Sequence, residues 1–244
     1  MIVTVTGASG YLGGAVAAAL INDGHEVRTL QRRPSGVEGA RDVLGSVTDA
    51  ALVRDAFDGA EGVIHLAAKV SLAGDPAEFS RVNVEGTRIV LDAAEAAGVA
   101  RLVQISSPSV AHAGSALAGV GAEPASPADA RGEYARTKAK SELLALARDS
   151  AAMRVVAIRP HLVWGPGDPQ LVARIVDRAR RGRLPLLDGG RALIDTTYID
   201  NAASGIVAAL RRADVAHGRA FVLTNGEPRP VGELLAGICT ASGV

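Results

Sequence analysis

The chain has a single cysteine, Cys239, in 244 residues, so it can form no internal disulfide. That fits a chain kept in a reducing cytoplasm. Neither sign of charge is in excess, since Lys+Arg and Asp+Glu both number 26. A balanced charge gives no footprint for nucleic acid or for an anionic membrane surface as partner. No apolar run approaches the ~20 residues that a membrane span needs. The first residues lack the basic stretch that opens a secretion signal, so none is expected. The five histidines are scattered, and no Cys/His/Asp cluster has metal-ligand spacing, so no metal is expected. Lysine is scarce too: only Lys69, Lys138 and Lys140 stand among the 26 basic residues. What the chain does have is a 48% hydrophobic content, enough for a sizeable core. Its length suits one large α/β domain, alone or with a smaller lobe.

The most informative stretch is Thr6-Gly7-Ala8-Ser9-Gly10-Tyr11-Leu12-Gly13. It follows the apolar, β-branched run Ile2-Val3-Thr4-Val5, which predicts a buried strand. It precedes Ala15 to Ile21, whose small and apolar residues predict a buried helix. Strand, glycine turn and helix form the setting in which this glycine spacing means dinucleotide binding. Gly7 serves the tight turn, Gly10 lets a pyrophosphate approach the backbone, and Gly13 lets helix and strand pack closely. The pyrophosphate then meets free N–H groups at the positive end of the helix. An acid about 20 residues beyond the glycines marks an NAD site, by bonding the ribose 2′-hydroxyl. Leu30-Gln31-Arg32-Arg33 occupies that place and contains no acid. A guanidinium can fork onto a 2′-phosphate, so Arg32 and Arg33 favour NADP(H) over NAD(H).

Strand and helix patterns alternate along the chain. Strands are expected at Glu26 to Leu30, Arg41 to Leu44, Gly62 to Leu66, Arg101 to Ser106 and Arg154 to Ile158. Helices are expected at Asp49 to Phe57, from Pro76 to a stop at Gly98, and at Glu133 to Arg148. Residues 111–131, rich in Ala, Gly, Pro and Ser, read as a loop. This alternation implies a doubly wound parallel α/β sheet of Rossmann type. The texture changes after Pro160. Leu171 to Arg181 predicts an amphipathic helix, Ile194 to Ile199 a strand, and Asn201 to Arg211 a helix capped by Asp200. Phe221 to Leu223 predicts a strand, and a last helix starts near Pro230. Residues 1–160 with about 190–212 are assigned to the dinucleotide-binding domain. Residues 161–189 with 213–244 are assigned to a small, incomplete C-terminal substrate lobe.

Tyr134 and Lys138, four residues apart on a predicted helix, share one face. A phenol ionises near pH 10, and a neighbouring ammonium pulls that value down, so the pair suits acid–base work. Ser106 and Ser107 end the fifth strand, at the sheet edge that faces the ligand crevice. A hydroxyl there can hydrogen-bond a carbonyl oxygen. His65 lies within an apolar strand and reads as a packed core residue. His112, in the loop, and His161, at the lobe junction, are candidates for substrate contact. Leu162, Val163, Trp164, Leu184, Leu186 and Leu187 give the lobe an apolar character.

The glycine run, Asn83-x-x-Gly86-Thr87, Ser106-Ser107 and Tyr134-x-x-x-Lys138 together resemble an extended short-chain dehydrogenase/reductase. Arg159 to Asp168 and Asp195 to Asn201 are similar to the 3β-hydroxysteroid dehydrogenase-like branch, which includes bacterial 2-alkyl-3-oxoalkanoate reductases. The resemblance implies that Tyr134 is the general acid/base, that Lys138 holds the nicotinamide ribose, and that Ser107 rather than Ser106 polarises the carbonyl. It implies cofactor contacts at Gly7, Ser9, Gly10, Tyr11, Leu12 and Gly13, at Leu66, Ala67, Ala68 and Lys69, and at Asn83 and Pro160. It departs from the family at Gly45-Ser46, where an Asp often follows the glycine. The activity implied is hydride transfer between NADP(H) and a carbonyl or secondary alcohol of an apolar small molecule. Two other functions share these residues: an NAD-using nucleotide-sugar epimerase or dehydratase, and a dinucleotide sensor without turnover. A cytoplasmic location and a homodimer are both compatible with the resemblance.

Overall fold

The computed structural model describes residues 1–244 except 72, 115 and 170. Its first half follows the expected alternation: β1 (Ile2–Thr6), α1 (Tyr11–Asn22), β2 (Glu26–Gln31), β3 (Arg41–Leu44), α2 (Ala50–Phe57) and β4 (Gly62–His65). The long helix expected from Pro76 is continuous but changes pitch. It runs as α3 (Pro76–Phe79), a π turn over Ser80–Glu85, and α4 (Gly86–Ala96). The wide turn contains buried Asn83, and π turns of this kind recur at functional sites. Then come β5 (Arg101–Ile105), a 3₁₀ turn (Pro108–Ala111), the loop, α5 (Gly132–Leu146) and β6 (Arg154–Pro160).

Seven parallel strands form one sheet in the order β3-β2-β1-β4-β5-β6-β10, the last being Arg219–Leu223. The order in which the chain adds strands reverses at β1, outward through β2 and β3 on one side and through β4, β5 and β6 on the other, which opens a crevice at the carboxyl ends of β1 and β4. The strands alternate their side chains between two apolar layers, as the pleat requires. Val3, Val5, Ile64, Val103 and Val156 pack with Val16 and Leu20 of α1 and, on the same face, with Ile206 and Leu210 from much later in the chain. Val63, Leu102 and Val155 pack with Phe57 of α2, Val90 and Leu91 of α4, and Ala145 of α5. Both faces are covered, which is why the strands read as nearly unbroken apolar runs.

Beyond β6 the chain is made of short elements. They are β7 (Val163–Trp164), α6 (Val172–Arg180), β8 (Leu193–Ile194), β9 (Thr197–Tyr198), α7 (Ile199–Arg211), α8 (Ala213–Ala216), β10, β11 (Arg229–Pro230) and α9 (Val231–Ala241). Three expectations change here. The strand expected over Ile194 to Ile199 is two strands with different partners, β8 with β11 and β9 with β7. Asp200 is not the cap of α7: Tyr198 holds that position and Asp200 lies in the first turn, where its charge suits the helix dipole. Residues 219–223 do not belong to the small lobe but form the sheet edge beside β6. Among the described residues no helix is long and apolar enough to cross a membrane.

Candidate active site

The crevice begins at the glycine turn. Gly7 has φ +81°, which glycine adopts without steric cost, and a Cβ there would lie 2.9 Å from the Ala67 backbone. A Cβ on Gly13 would overlap the Gly7 carbonyl oxygen, so helix α1 can only meet β1 with glycine at this crossing. Exposed Gly10 is the N-cap of α1 and no side chain caps it. The first-turn N–H groups therefore remain available to an anion, in the arrangement that binds a pyrophosphate. Ser9, Tyr11 and Leu12 are half-buried around this turn, and Leu66, Ala67, Ala68 and Lys69 follow β4 on its other side. Ala67 N–H donates to Thr6 Oγ1 at 3.1 Å, which ties the two sides together. The residues present fit a dinucleotide: a side-chain-free cradle flanked by small residues. Tyr11 also reaches out of the turn, and its hydroxyl donates to the Pro166 carbonyl at 3.2 Å.

At the adenosine end, β2 stops at Gln31, and Arg32 and Arg33 are exposed just beyond it. An acid that the sequence reading passed over lies next to them on β3. Asp42 accepts from Thr29 Oγ1 at 2.5 Å, Gln31 Nε2 at 3.1 Å and Ser35 N at 2.9 Å. These hydrogen bonds hold its carboxyl below the usual range against the opposing effect of burial. Its oxygens are engaged in closing the turn after β2, which is a structural task.

Ser107, Tyr134 and Lys138 meet at the carboxyl end of β5. Ser107 caps the 3₁₀ turn by accepting from Ser109 N, and its hydroxyl shares a 2.8 Å hydrogen bond with Ser109 Oγ. Tyr134 is half-buried in the first turn of α5, and its phenol is hydrogen-bonded to Ser107. Ser106 is buried behind them, and its hydroxyl has no hydrogen-bond partner among the described residues. Lys138 is buried one helical turn past Tyr134, with Nζ donating to the Ile105 carbonyl. That bond staples α5 to the strand carrying the serines. Lys140 is exposed on another face of the helix.

Burial pushes the Tyr134 phenol above its ordinary value, and the hydrogen bond with Ser107 offsets part of this. This differs from the expectation that Lys138 draws the phenol down. The ammonium is turned to the Ile105 carbonyl, so desolvation dominates. Burial lowers Lys138 itself to about 8, while the Glu142 carboxylate, one turn further along α5, acts in the opposite direction.

Beneath this site lies a fully hydrogen-bonded polar chain. Thr87 Oγ1 donates its one proton to the Asn83 carbonyl at 2.6 Å, so it can only accept from His65 Nε2 at 3.1 Å. His65 Nδ1 therefore accepts from Thr6 Oγ1 at 2.6 Å. The ring is the neutral Nε2–H tautomer, and burial, with the Lys138 charge second, holds its pKa at about 3. Asn83 is likewise internal. Its Oδ1 accepts from Lys69 N at 2.7 Å, and its Nδ2 donates to Thr137 Oγ1 at 3.0 Å. Asn83, a candidate cofactor contact by sequence, is fully buried and joins the segment after β4 to α5. Lys69 is paired with Glu78 at 2.6 Å and packs over the Phe79 ring. Pro160 is half-buried at the end of β6. His112 is exposed in the loop, and His161 is held at the lobe junction by Leu223 and Thr197.

A second feature escaped the sequence reading. Arg159 on β6 grips Glu142 of α5 with two hydrogen bonds, Nε to Oε2 at 2.9 Å and Nη2 to Oε1 at 2.6 Å. The side chains are 2% and 1% exposed. The signal was the four-residue step from Lys138 to Glu142, which places both on one helix face.

A glycine-turn dinucleotide cradle beside a Tyr/Lys pair on one helix defines a nucleotide-dependent enzyme of the Rossmann class. The chain belongs to the NAD dependent epimerase/dehydratase family, whose model matches residues 3–224. That family depends on nicotinamide dinucleotides. The chain is 39% identical to a 2-alkyl-3-oxoalkanoate reductase of Stenotrophomonas maltophilia, over its whole length and 76% of that protein. It is 32% identical to a 3 beta-hydroxysteroid dehydrogenase/Delta 5-->4-isomerase of Mycobacterium tuberculosis, over 99% of this chain and 69% of that one. Among solved structures, MoeE5 in complex with UDP-glucose and NAD superimposes with a TM-score of 0.85 at 27% identity, covering all of this chain and 82% of MoeE5.

Proposed function

We propose that this chain is an oxidoreductase that moves a hydride between NADP(H) and the carbonyl, or secondary alcohol, of an apolar small molecule such as a β-keto acid or a steroid. The observation that carries this reading is the meeting of Ser107, Tyr134 and Lys138 at the strand ends beside the glycine turn. The relatives named as reductases and dehydrogenases of oxo acids and sterols support the substrate class. So do the exposed Leu162, Leu186 and Leu187 beyond β6, the last 82% exposed. They offer no partner to sugar hydroxyls.

When bound, the nicotinamide supplies the hydride that the carbonyl carbon receives. The protein's part is position and a proton. Ser107 donates a hydrogen bond to the carbonyl oxygen as charge develops there. Tyr134, held protonated by burial, delivers its proton to that oxygen. Lys138, one turn away, holds the nicotinamide ribose hydroxyls with the ammonium donors that its bond to the Ile105 carbonyl leaves over. The glycine cradle and α1 bind the pyrophosphate. Arg32 and Arg33 recognise a 2′-phosphate, a reading supported by the absence of a free acid at the end of β2.

The test is oxidation of NADPH and of NADH by the purified protein against 2-alkyl-3-oxo acids, 3-ketosteroids and UDP- or dTDP-sugars. The proposal expects ketone-dependent oxidation with NADPH preferred. Faster conversion of a nucleotide sugar, with NAD retained through purification, would replace it with the epimerase or dehydratase reading. Tight cofactor binding with no turnover of any of them would favour a sensor.

A further inference from the structure

Residues 112–131 connect the two halves of the catalytic group. The segment leaves five residues after Ser107 and ends three before Tyr134. Its position therefore bears on both hydroxyls at once. The described residues of 112–121 are largely exposed, so burial alone does not hold the segment in place. At its start His112 N donates to the neighbouring Ser109 carbonyl at 3.4 Å, and among the described residues two hydrogen bonds reach it from further away. Ser126 N donates to the Val110 carbonyl at 2.9 Å. Arg159 Nη1 donates to the Glu123 carbonyl at 2.7 Å.

The second of these is unusual because of where the arginine comes from. Arg159 is fully buried at the end of β6, and its other two nitrogens are committed to Glu142 of α5. Glu142 lies one turn beyond Lys138, which itself is bonded to the end of β5. A single guanidinium thus joins β6, α5 and the connecting segment. A buried ion pair gives weak net stability, because desolvating both charges offsets their attraction. Apolar side chains would fill the same space at no such cost. What an apolar pair cannot do is donate to a carbonyl on the segment above it.

We propose that Arg159 is a positioning residue: held in register by Glu142, it latches residues 112–131 through the Glu123 carbonyl and so fixes the spacing between Ser107 and Tyr134. This rests on the reductase reading of the site for its kinetic part but not for its structural part. A planar fork is required. Lysine has one nitrogen and a compact charge, so it can keep the contact with Glu142 or reach the segment, but it cannot reproduce all three bonds.

Three variants test this: Arg159→Lys, the paired change Arg159→Met with Glu142→Met, and Glu123→Ala. Two quantities are read, hydrogen exchange over residues 112–131 and steady-state ketone reduction with NADPH. In Arg159→Lys and in the paired variant, exchange in the segment should quicken at least tenfold. The ketone KM should rise, or kcat fall, about tenfold, while NADPH affinity by fluorescence titration stays within twofold. Glu123→Ala should match the parent in every readout, because the acceptor is its backbone. Should the paired variant fail to fold, Arg159→Lys carries the test, since it retains a charge opposite Glu142. Unchanged exchange in Arg159→Lys overturns the latch. Faster exchange with unchanged ketone kinetics overturns the positioning role. If the parent reduces no ketone, the reductase reading fails, and the exchange measurement still decides the latch.

Discussion

Lys138 offers a prediction in which activity and stability move in opposite directions. Burial lowers its pKa from 10.5 to about 8. The gap corresponds to about 3 kcal/mol against the ammonium, at roughly 1.4 kcal/mol per pH unit. Below pH 8 the folded protein carries the charge at that cost; above it the charge is released. Tyr134 stays protonated through this range, since burial raises it above 10. The high-pH limb of ketone reduction should therefore belong to Lys138. Read as kcat/KM for NADPH, which reports the free enzyme, it should turn down near pH 8 and fall roughly tenfold by about pH 9. Between about pH 8 and 10.5 the unfolded chain binds more protons at this position than the folded one, so stability rises with pH there. Relative to Lys138→Met, the parent should gain up to about 1.4 kcal/mol per pH unit across that window in urea unfolding. A limb above pH 9.5, or unfolding curves of parent and Met variant that stay parallel, would refute the reasoning.

Tyr134→Phe should lower kcat by a factor on the order of 10² or more while leaving NADPH affinity within about twofold. Lys138→Arg should lose as much, because a guanidinium is wider and planar, whereas exposed Lys140→Arg should remain close to the parent in the same assay. NADPH should bind at least about tenfold tighter than NADH, a difference of about 1.4 kcal/mol, and Arg32→Ala should remove most of it; equal affinities in the parent by titration would exclude the 2′-phosphate reading. His65, lowered from 6.5 to about 3, contributes stability that is complete above pH 6.5 and is lost as pH falls towards 3. Unfolding of the parent between pH 7 and 4.5 should thus be steeper than that of His65→Asn by up to about 1.4 kcal/mol per pH unit, and equal slopes would show that the ring is not held neutral.

Much of this molecule is determined locally, and that part is legible in the sequence. Gly7 and Gly13 have no substitute at a positive φ and at a helix crossing a strand, so their spacing announces the turn. The strands of the sheet are covered on both faces, so their apolar runs identify them and their alternation with helices fixes the parallel order. Tyr134 and Lys138 share a helix face by periodicity alone. What depended on packing was not legible. The five residues Phe221, Val222, Leu223 and their two predecessors form the sheet edge only because β6 offers an open flank. The break between β8 and β9 follows from pairing with two different partners. That Asn83 joins the segment after β4 to α5 is visible only in three dimensions, because the π turn carries its amide inward. The direction of the Tyr134 shift was hidden for the same reason: sequence places an ammonium four residues away, but only the fold decides that it bonds Ile105 and that burial governs the phenol. Arg159, Glu142 and the Glu123 carbonyl lie on three separate elements. Sequence distance carries no information about a contact of that kind, since it is the parallel crossover of β5, α5 and β6 that brings them together.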